Sequence, residues 1–579
     1  MSFWGCLQKV KKWLNVDYLR PQYLRSIAER VSIFLYSFNI TNTINFSLAL
    51  TSLACDSPML TNVAHAPAGE IVGTERISRE GRPYHAFFGI PFAQPPVGKL
   101  RFRPPERIPK LEGTFKATTP PKNCLQNLDP NSSEDCLYLN VFRPKATEEK
   151  CTKSGLPVLV YVYGGGFSAG NQGPPNSADY LMDKDVILVS PNYRLGIFGF
   201  PSFGNHILPG NYGLKDLILA LRWVKENISA FGGDPDNVTA FGGSAGAALT
   251  HILLKAPAAE YLVTKGFSYS GSINPFWSQV ISHQLVGNTL KVAKNLGCCK
   301  TSCSATQNVF ECMQKANAAD LLSKASVLSA TSGDRMVTFA AVIEPKDAPD
   351  AVITGDLSSK PCEKPWMTSV TNGEYSVFYD SILNLMPNGS LKVMQKNLLK
   401  LIKSIVGHST KGSTAIIRKS KLLKSLYFQG NFSDGLAKFF MDLFFIYPQI
   451  YNIKKHEGPK WMSNLEYQGE LSLGVDSRPG HADQGLFILN YRNVYVPDVP
   501  LNETEKDYNM VKRMVGYLVN FANFSDPTPE GSDVRWDKFS KNEILRMTGD
   551  GDFMGDKEYY SHFGTVYKNL KKIMGWCYS

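Results

Sequence analysis

Ser244 lies at the centre of Gly242-Gly243-Ser244-Ala245-Gly246, a segment that matches the pattern G-x-S-x-G. Residues 237–242 before it predict a strand, and residues 247–254 after it predict a helix. Small residues on both sides allow a strained turn that exposes the serine hydroxyl, and the helix start directs N–H groups toward developing negative charge. The pattern predicts a nucleophile for acyl transfer, provided that the other parts of such a site are present.

Three successive glycines, Gly164-Gly165-Gly166, follow a predicted strand at residues 157–163. Glycine lets the backbone approach a bound molecule closely because it carries no Cβ atom. We therefore expect the N–H groups of Gly165, Gly166 and Ala245 to bind the oxyanion of a tetrahedral intermediate. The loss of one such donor typically costs about 2.7–4 kcal/mol of transition-state stabilisation.

Short apolar runs rich in β-branched residues alternate with helical patterns around these two motifs. Strands are predicted at residues 157–163, 185–190 and 237–242, and a helix is predicted at 214–231. This alternation indicates an α/β fold with a mainly parallel sheet covered by helices. In such sheets, ligands bind at the carboxyl ends of the strands, which is where the serine turn and the glycine run both lie.

The net charge of +11 is concentrated in two segments. Residues 1–30 contain six basic and two acidic side chains, and residues 392–424 contain nine basic side chains and no acidic one. The rest of the chain is close to neutral, so no nucleic-acid partner is expected. The segment at 392–424 is interpreted as a solvated basic helix, with a site for an anionic surface as the alternative.

The N-terminal part of the chain predicts entry into the secretory pathway. Residues 31–54 are mostly apolar and end in small residues that suit a cleavage site. We expect 1–54 to be a basic leader with a signal peptide, 55–66 a linker and 67–579 the main domain of a secreted protein. An uncleaved signal anchor in the membrane and a wrongly extended N-terminus are the alternatives. Asn-x-Ser/Thr triplets in the body of the chain favour the same route, and they occur at Asn131, Asn227, Asn237, Asn388, Asn431, Asn502 and Asn523.

The eleven cysteines are too few for a disulfide scaffold in a chain of 579 residues. Four of them cluster between residues 298 and 312 without a histidine nearby, and no paired CxxC motifs predict a zinc site. Disulfides formed in an oxidising compartment are therefore expected, and no metal site is predicted.

Further motifs accompany the serine turn in a fixed order along the chain. They are Phe88-Gly89-Ile90-Pro91-Phe92-Ala93, Glu134-Asp135-Cys136-Leu137-Tyr138-Leu139-Asn140-Val141, Tyr163-Gly164-Gly165-Gly166-Phe167, Asn192-Tyr193-Arg194, Asn211-Tyr212-Gly213-Leu214 and Phe231-Gly232-Gly233-Asp234-Pro235. With them the chain resembles the type-B carboxylesterase family, which includes cholinesterases and arthropod carboxylesterases, over about residues 67–579. The resemblance implies a single α/β-hydrolase domain and a serine esterase that acts on a small-molecule ester through an acyl-enzyme, without a cofactor.

The same resemblance assigns an acid and a base to the serine. The family's acid corresponds to Glu374 and its histidine to His481, in agreement with the chain order of this fold. Glu344 is the competing acid, although it fits the entry to that segment better, and His251 precedes the acid and therefore has the wrong order. A histidine that titrates near pH 7 can accept the serine proton, and Glu374 would hold its tautomer.

Two further positions carry family roles by resemblance. Ser270 corresponds to a serine that hydrogen-bonds within the triad network, and an ordinary turn serine is the alternative. Trp277 corresponds to a tryptophan of the acyl pocket, and a plain core aromatic is the alternative. His456 and His562 lie in polar stretches and are interpreted as surface residues.

The resemblance also implies two disulfides. Cys124 is expected to pair with Cys136, and Cys298 with Cys312, although Cys299 could replace Cys298. No partner is assigned to the remaining candidates, which are Cys151, Cys303 and Cys362.

Two departures from the family narrow the substrate. The glutamate that commonly precedes the nucleophile is Gly243 here, which removes a carboxylate from the site. The loop of the first disulfide, residues 125–135, contains no tryptophan for choline, and quaternary ammonium groups need aromatic faces. Neutral carboxylic esters are therefore expected, whether xenobiotic, hormone or lipid esters. A catalytically silent or sequestering binding or adhesion protein of the same family is the alternative function.

Overall fold

The computed structural model describes residues 62–145, 155–273, 275, 277–278, 282–300, 303–331, 337–376, 391–407, 410, 412–474, 477–490 and 504–574. The predicted leader at 1–54 and Cys151 lie outside these residues. No helix among the described residues is both long enough and apolar enough to cross a membrane.

Strands of the described residues are numbered here in chain order. They are β1 (Val63–Ala66), β2 (Gly69–Val72), β3 (Thr74–Ile77), β4 (Pro83–Pro91), β5 (Thr114–Lys116), β6 (Asn123–Cys124), β7 (Ser132–Ser133), β8 (Tyr138–Pro144), β9 (Leu156–Tyr161), β10 (Ile187–Pro191), β11 (Gly233–Gly243), β12 (Lys265–Tyr269), β13 (Trp366–Thr371), β14 (Lys460–Leu465), β15 (Leu545–Thr548) and β16 (Gly551–Met554). Because β1 pairs with β2, part of the predicted linker at 55–66 is a strand. Four residues are too short a run to be recognised as a strand from their sequence.

One large sheet runs in the order β16-β15-β14-β13-β12-β11-β9-β10-β8-β4-β3. Neighbours from β10 through β9, β11, β12, β13 and β14 to β15 are parallel, and antiparallel strands flank them at both edges. All residues of β9 and β10 except Leu156 are buried, as expected for strands that helices cover on both faces. The predicted α/β architecture is therefore confirmed.

The helices of the described residues are also numbered in chain order. They are α1 (Gly196–Gly199), α2 (Tyr212–Asn227), α3 (Ala245–Lys255), α4 (Ser282–Asn295), α5 (Gln307–Lys315), α6 (Ala318–Thr331), α7 (Leu391–Gly407), α8 (Ser413–Tyr427), α9 (Phe432–Met441), α10 (Tyr447–Lys455), α11 (Glu505–Phe524) and α12 (Lys557–Met574). A π-helical turn, Asp442–Ile446, joins α9 directly to α10. Such turns are rare and are frequent at functional sites.

The elements predicted around the serine are present with small shifts of their ends. The strand predicted at 157–163 is β9. It ends two residues earlier, because the chain turns into the loop of Gly164, Gly165 and Gly166, here called the glycine loop. The strand at 237–242 lies within β11, and the helix after it is α3. The helix predicted at 214–231 is α2, which ends at Asn227 and continues as a 3₁₀ turn, Ile228–Phe231.

Candidate active site

The serine turn joins β11 to α3 at the carboxyl end of the central strands. Ser244 has φ 56° and ψ −125°. Residues other than glycine rarely adopt this backbone conformation, which costs on the order of 1–3 kcal/mol. Its N–H donates to the carbonyl of Tyr269 at 3.0 Å, and its carbonyl accepts from the N–H of Ala248 at 3.1 Å. A Cβ atom on Gly246 would lie 2.0 Å from the carbonyl oxygen of Val162, so the turn needs glycine there.

The glycine loop contacts the serine turn directly. A Cβ atom on Gly164 would lie 3.2 Å from Cβ of Ser244, and Gly165 and Gly166 have φ values of 109° and 60°. Among the described residues, none accepts a hydrogen bond from the N–H of Gly165, Gly166 or Ala245. These three donors are therefore available to a bound oxygen atom.

A pair of stacked tyrosines holds the glycine loop in place. The rings of Tyr163 and Tyr193 are parallel within 21° at 4.3 Å between centroids. The hydroxyl of Tyr193 donates to the carbonyl of Tyr163 at 2.7 Å, and the hydroxyl of Tyr163 donates to the carbonyl of Tyr193 at 3.0 Å. Sequence reasoning assigned neither tyrosine a role, although both lie in the quoted family motifs.

The loop that begins at Tyr193 is anchored by a buried ion pair. Nε and Nη2 of Arg194 donate to the two carboxylate oxygens of Asp216 at 2.8 and 2.6 Å. The N–H of Gly196 then donates to the carbonyl of Phe167 at 2.7 Å, which joins this loop to the glycine loop. Bidentate arginine–carboxylate contacts are both strong and directional. This contact therefore helps to position the oxyanion donors.

His481 and Glu374 are paired just beyond the ends of β13 and β14. Nδ1 of His481 lies 2.6 Å from Oε2 of Glu374, and the Glu374 side chain is fully buried. The second carboxylate oxygen, Oε1, accepts from the N–H of Thr371 at 2.9 Å. The N–H of His481 donates to Oγ of Ser376 at 2.9 Å, and Gly373 forms a β-bridge with Gly480. The structure therefore brings the predicted acid and the predicted base together.

Asp483 organises the loop that carries His481. Its buried carboxylate accepts from the N–H of Gly480 at 2.6 Å, from the N–H of Leu473 at 3.0 Å and from the hydroxyl of Ser472. Burial raises the pKa of Asp483. The aspartate stands in the motif Gly480-His481-Ala482-Asp483, which is the signal from which its role could have been inferred.

Ser270 links the serine side of the site to the histidine side. Its hydroxyl accepts from the N–H of Ala482 at 3.1 Å and donates to Oε1 of Gln484 at 3.2 Å. Nε2 of Gln484 donates in turn to Oγ of Ser369 at 3.0 Å. Ser270 directly follows Tyr269, whose carbonyl holds the N–H of Ser244. The network is uncharged, and it joins two loops that lie about 210 residues apart in the sequence.

Trp277 lies beside the serine turn and donates a hydrogen bond to the helical region. Pro448 has no N–H, so it cannot donate to the carbonyl of Phe444 as a regular helix would require. The indole Nε1 of Trp277 donates to that carbonyl instead, at 3.2 Å. A Cβ atom on Gly271 would lie 2.4 Å from the carbonyl of Ser244 and 3.0 Å from the Trp277 ring.

Phe445 of the π turn lies beside Trp277, and the two rings form an aromatic wall. Its ring centroid lies 4.7 Å from that of His481 and 5.7 Å from that of Trp277. Sequence reasoning missed Phe445, because nothing in residues 442–446 indicates a turn that faces the histidine.

The rejected acid and histidines have other contacts. Glu344 is buried and pairs with Lys215 at 2.7 Å. His251 stacks on Trp366 with 4.1 Å between centroids, and His456 flanks the same indole at 5.4 Å. The prediction that His456 is a surface residue is wrong, because this contact buries it, and burial lowers its pKa to about 4.

Gly243 is required by a ring that occupies the space beside it. A Cβ atom at this position would lie 2.2 Å from Cε2 of Tyr269, whose side chain is buried. The ring of Tyr269 therefore fills the volume into which a side chain before the nucleophile would extend. A carboxylate is missing here because the ring of Tyr269 occupies its space, and not only because residue 243 is glycine.

Both predicted disulfides, Cys124–Cys136 and Cys298–Cys312, are present. Cys299 pairs with Cys303, so it does not replace Cys298, and Cys303 has a partner that sequence reasoning did not assign. Cys362 is buried with a free thiol.

The chain is similar to known proteins over most of its length. A family model described as the carboxylesterase family matches residues 60–560. Juvenile hormone esterase from Tribolium castaneum is 31% identical over 83% of this chain and 86% of its own length. Esterase FE4 from Myzus persicae is 30% identical over 86% of this chain and 90% of its own.

A solved structure of juvenile hormone esterase from Manduca sexta covers 89% of this chain and 99% of its own, with a TM-score of 0.76 at 23% identity. This likeness confirms the α/β-hydrolase fold. From the extent of the family match, we conclude that the chain belongs to the carboxylesterase family, which supports carboxylic ester hydrolysis as its chemistry.

Proposed function

We propose that the chain hydrolyses neutral carboxylic esters with Ser244 as the nucleophile, His481 as the general base and Glu374 as the acid that orients the base. The observation that carries this proposal is the 2.6 Å contact between Nδ1 of His481 and the buried Oε2 of Glu374. A buried carboxylate at Nδ1 favours the tautomer that leaves Nε2 unprotonated, and it stabilises the imidazolium that forms during the reaction.

The reaction proceeds in two halves through an acyl-enzyme. Oγ of Ser244 attacks the ester carbonyl carbon while Nε2 of His481 accepts the serine proton. The N–H groups of Gly165, Gly166 and Ala245 bind the oxyanion, and His481 returns the proton to the departing alcohol. Water then attacks the acyl-enzyme with His481 again as the base, which releases the carboxylic acid and restores Ser244.

The side chains around the proposed triad support an uncharged substrate with an apolar acyl part. Trp277 and Phe445 line one side of the site, and the space before the nucleophile holds the ring of Tyr269 in place of a carboxylate. Two relatives are named juvenile hormone esterase, which places a hormone ester among the substrates to test. A cationic choline ester finds no carboxylate at residue 243, so we expect it to react poorly.

The direct test is turnover of p-nitrophenyl acetate by Ser244→Ala. We expect no turnover above background, while the exposed Ser326→Ala retains the activity of the unchanged protein. Undiminished turnover in Ser244→Ala would refute the assignment. A panel of esters that differ in acyl size, alcohol size and charge then measures the substrate preference.

A sequestering function would leave a different kinetic record. A protein that acylates quickly and deacylates slowly releases one equivalent of p-nitrophenol in a burst and then turns over very slowly. Sustained turnover after the first equivalent supports the hydrolase.

We also propose that the protein enters the secretory pathway. Its described disulfides are typical of an oxidising compartment. Expression in insect cells should deliver the protein to the medium, and N-terminal sequencing should find that the secreted chain begins after Ala54. An intact N-terminus on membrane-bound protein would favour the anchor instead.

A further inference from the structure

Helices α7 and α8 pack against each other, and neither contains an acidic residue. The exposed basic side chains of this pair, the basic hairpin, are Lys396, Lys400, Arg418, Lys421 and Lys424. The hairpin therefore presents positive charge that no carboxylate within either helix neutralises.

The fold adds a second group of lysines that is distant in sequence. Nζ of Lys419 donates to the carbonyl of Met574 at 2.6 Å and to Oγ1 of Thr410 at 3.1 Å. This contact joins the hairpin to the C-terminal end of α12, where Lys568, Lys571 and Lys572 are exposed. The charge of segment 392–424 is thus extended by a helix about 150 residues further along the chain.

Apolar side chains are exposed among these charges. Ile417, Leu422 and Leu426 of α8 have exposed fractions of 40%, 46% and 40%. Exposed leucine and isoleucine gain nothing from a hydrated polyanion. They gain free energy at the boundary between lipid headgroups and acyl chains, where basic residues also meet anionic headgroups.

We propose that the basic hairpin docks the protein on an anionic lipid surface. Leu422 and Leu426, which are neighbours on one side of α8, enter the headgroup boundary, and the basic residues of the hairpin and of the α12 end contact the acidic headgroups. The opposite, buried side of α8 contacts the π turn, because the hydroxyl of Tyr427, the last residue of α8, donates to Asp442 at 3.1 Å.

The test measures vesicle binding by the full chain in the Ser244→Ala background, which separates docking from catalysis. Vesicles contain phosphatidylcholine with or without phosphatidylserine. Each removed charge should weaken binding about fivefold, so we expect Arg418→Gln/Lys421→Gln/Lys424→Gln to bind about 100-fold more weakly to the anionic vesicles. A matched control, Lys110→Gln/Lys116→Gln/Lys122→Gln, removes three exposed lysines elsewhere and should bind as before.

A second variant separates lipid from other anions. Leu422→Ser/Leu426→Ser keeps all charges, so it should lose vesicle binding while its retention on heparin is unchanged. Because all variants carry the same N-terminal segment, its contribution cancels. Equal vesicle binding by the charge variant and its control would overturn the proposal, as would heparin binding without vesicle binding. Unchanged circular dichroism verifies that each variant is folded.

Discussion

The two halves of the active site are built in different ways. The nucleophile half consists of β11, the serine turn, α3 and the glycine loop. Backbone atoms at the ends of neighbouring strands hold its serine, and the side chains of Tyr163, Tyr193 and Arg194 anchor its glycine loop. The histidine half consists of Glu374, the loop of His481 and the π turn, and buried side chains hold it together. A strained backbone conformation therefore positions the serine, whereas a network of carboxylates and hydroxyls positions the histidine.

Buried acids occur mainly in the histidine half. Asp483 holds the loop of His481, and Asp442 of the π turn accepts a hydrogen bond from the hydroxyl of Tyr427. Burial raises the pKa of Asp442 to about 7. The nucleophile turn consists of glycine, alanine and serine. The serine of the nucleophile half therefore depends on space for the backbone, whereas the histidine half depends on hydrogen bonds to its buried polar groups.

Catalysis should require both halves as one unit. We expect Ser244→Ala and His481→Ala each to lower kcat by about 10⁶-fold, because the hydroxyl and its base act in the same step. The double variant should lose no more than either single variant. Single-turnover kinetics with p-nitrophenyl acetate measure this, and losses that multiply would mean that the two residues act separately.

Two buried glutamates should separate catalytic positioning from stability. Glu374→Gln should lower kcat by about 10⁴-fold while the protein stays folded, because the histidine loses its orienting charge. Glu344→Gln should instead lower the free energy of unfolding by about 3–5 kcal/mol, because Lys215 remains buried without its counter-ion. Its folded fraction should keep kcat within tenfold. If Glu344→Gln lost kcat and Glu374→Gln lost only stability, Glu344 would be the triad acid.

The packing of two histidines against a buried tryptophan should make the protein sensitive to acid. Trp366 of β13 lies between His251 of the nucleophile half and His456 at the end of α10. The pKa of His456 is lowered from 6.5 to about 4, so the unfolded chain takes up a proton first as the pH falls. Stability should hold above about pH 6.5, and His456 should contribute a loss of about 3 kcal/mol between pH 6.5 and pH 4. Burial also lowers the pKa of His251 and of His85, so both add to the loss as the pH falls.

Urea unfolding at several pH values measures this loss. His456→Gln, which can still donate to the carbonyl of Lys364, should remove the part of this loss that is due to His456, about 3 kcal/mol, and keep the parts due to His251 and His85. His206→Gln changes an exposed histidine and should leave the curve as it is. A slope that persists in full in His456→Gln would assign the acid sensitivity to other groups.

The smallest effect concerns the packing of the nucleophile half. Gly243→Ala should destabilise the protein by about 1–3 kcal/mol, because the new methyl group meets the ring of Tyr269. In a Tyr269→Ala background the same change should cost nothing, which gives a coupling energy of similar size. Chemical denaturation of the four proteins measures it, and additive effects would mean that the ring does not exclude a side chain at residue 243.

The sequence by itself determined the nucleophile half. The strand, the turn and the helix around Ser244 are contiguous, and each depends on local periodicity and on glycine at required positions. The parallel sheet and the two disulfides implied by family resemblance are also present. Local patterns suffice here because the interacting residues are neighbours in the chain or follow motifs in a fixed order.

Only the tertiary structure decided the side-chain contacts around the two halves. The placement of Phe445 against His481, the burial of His456 against Trp366 and the ring that requires Gly243 all join residues that are far apart in the chain. No periodicity encodes such contacts, because they depend on how loops and helices pack after the sheet has formed.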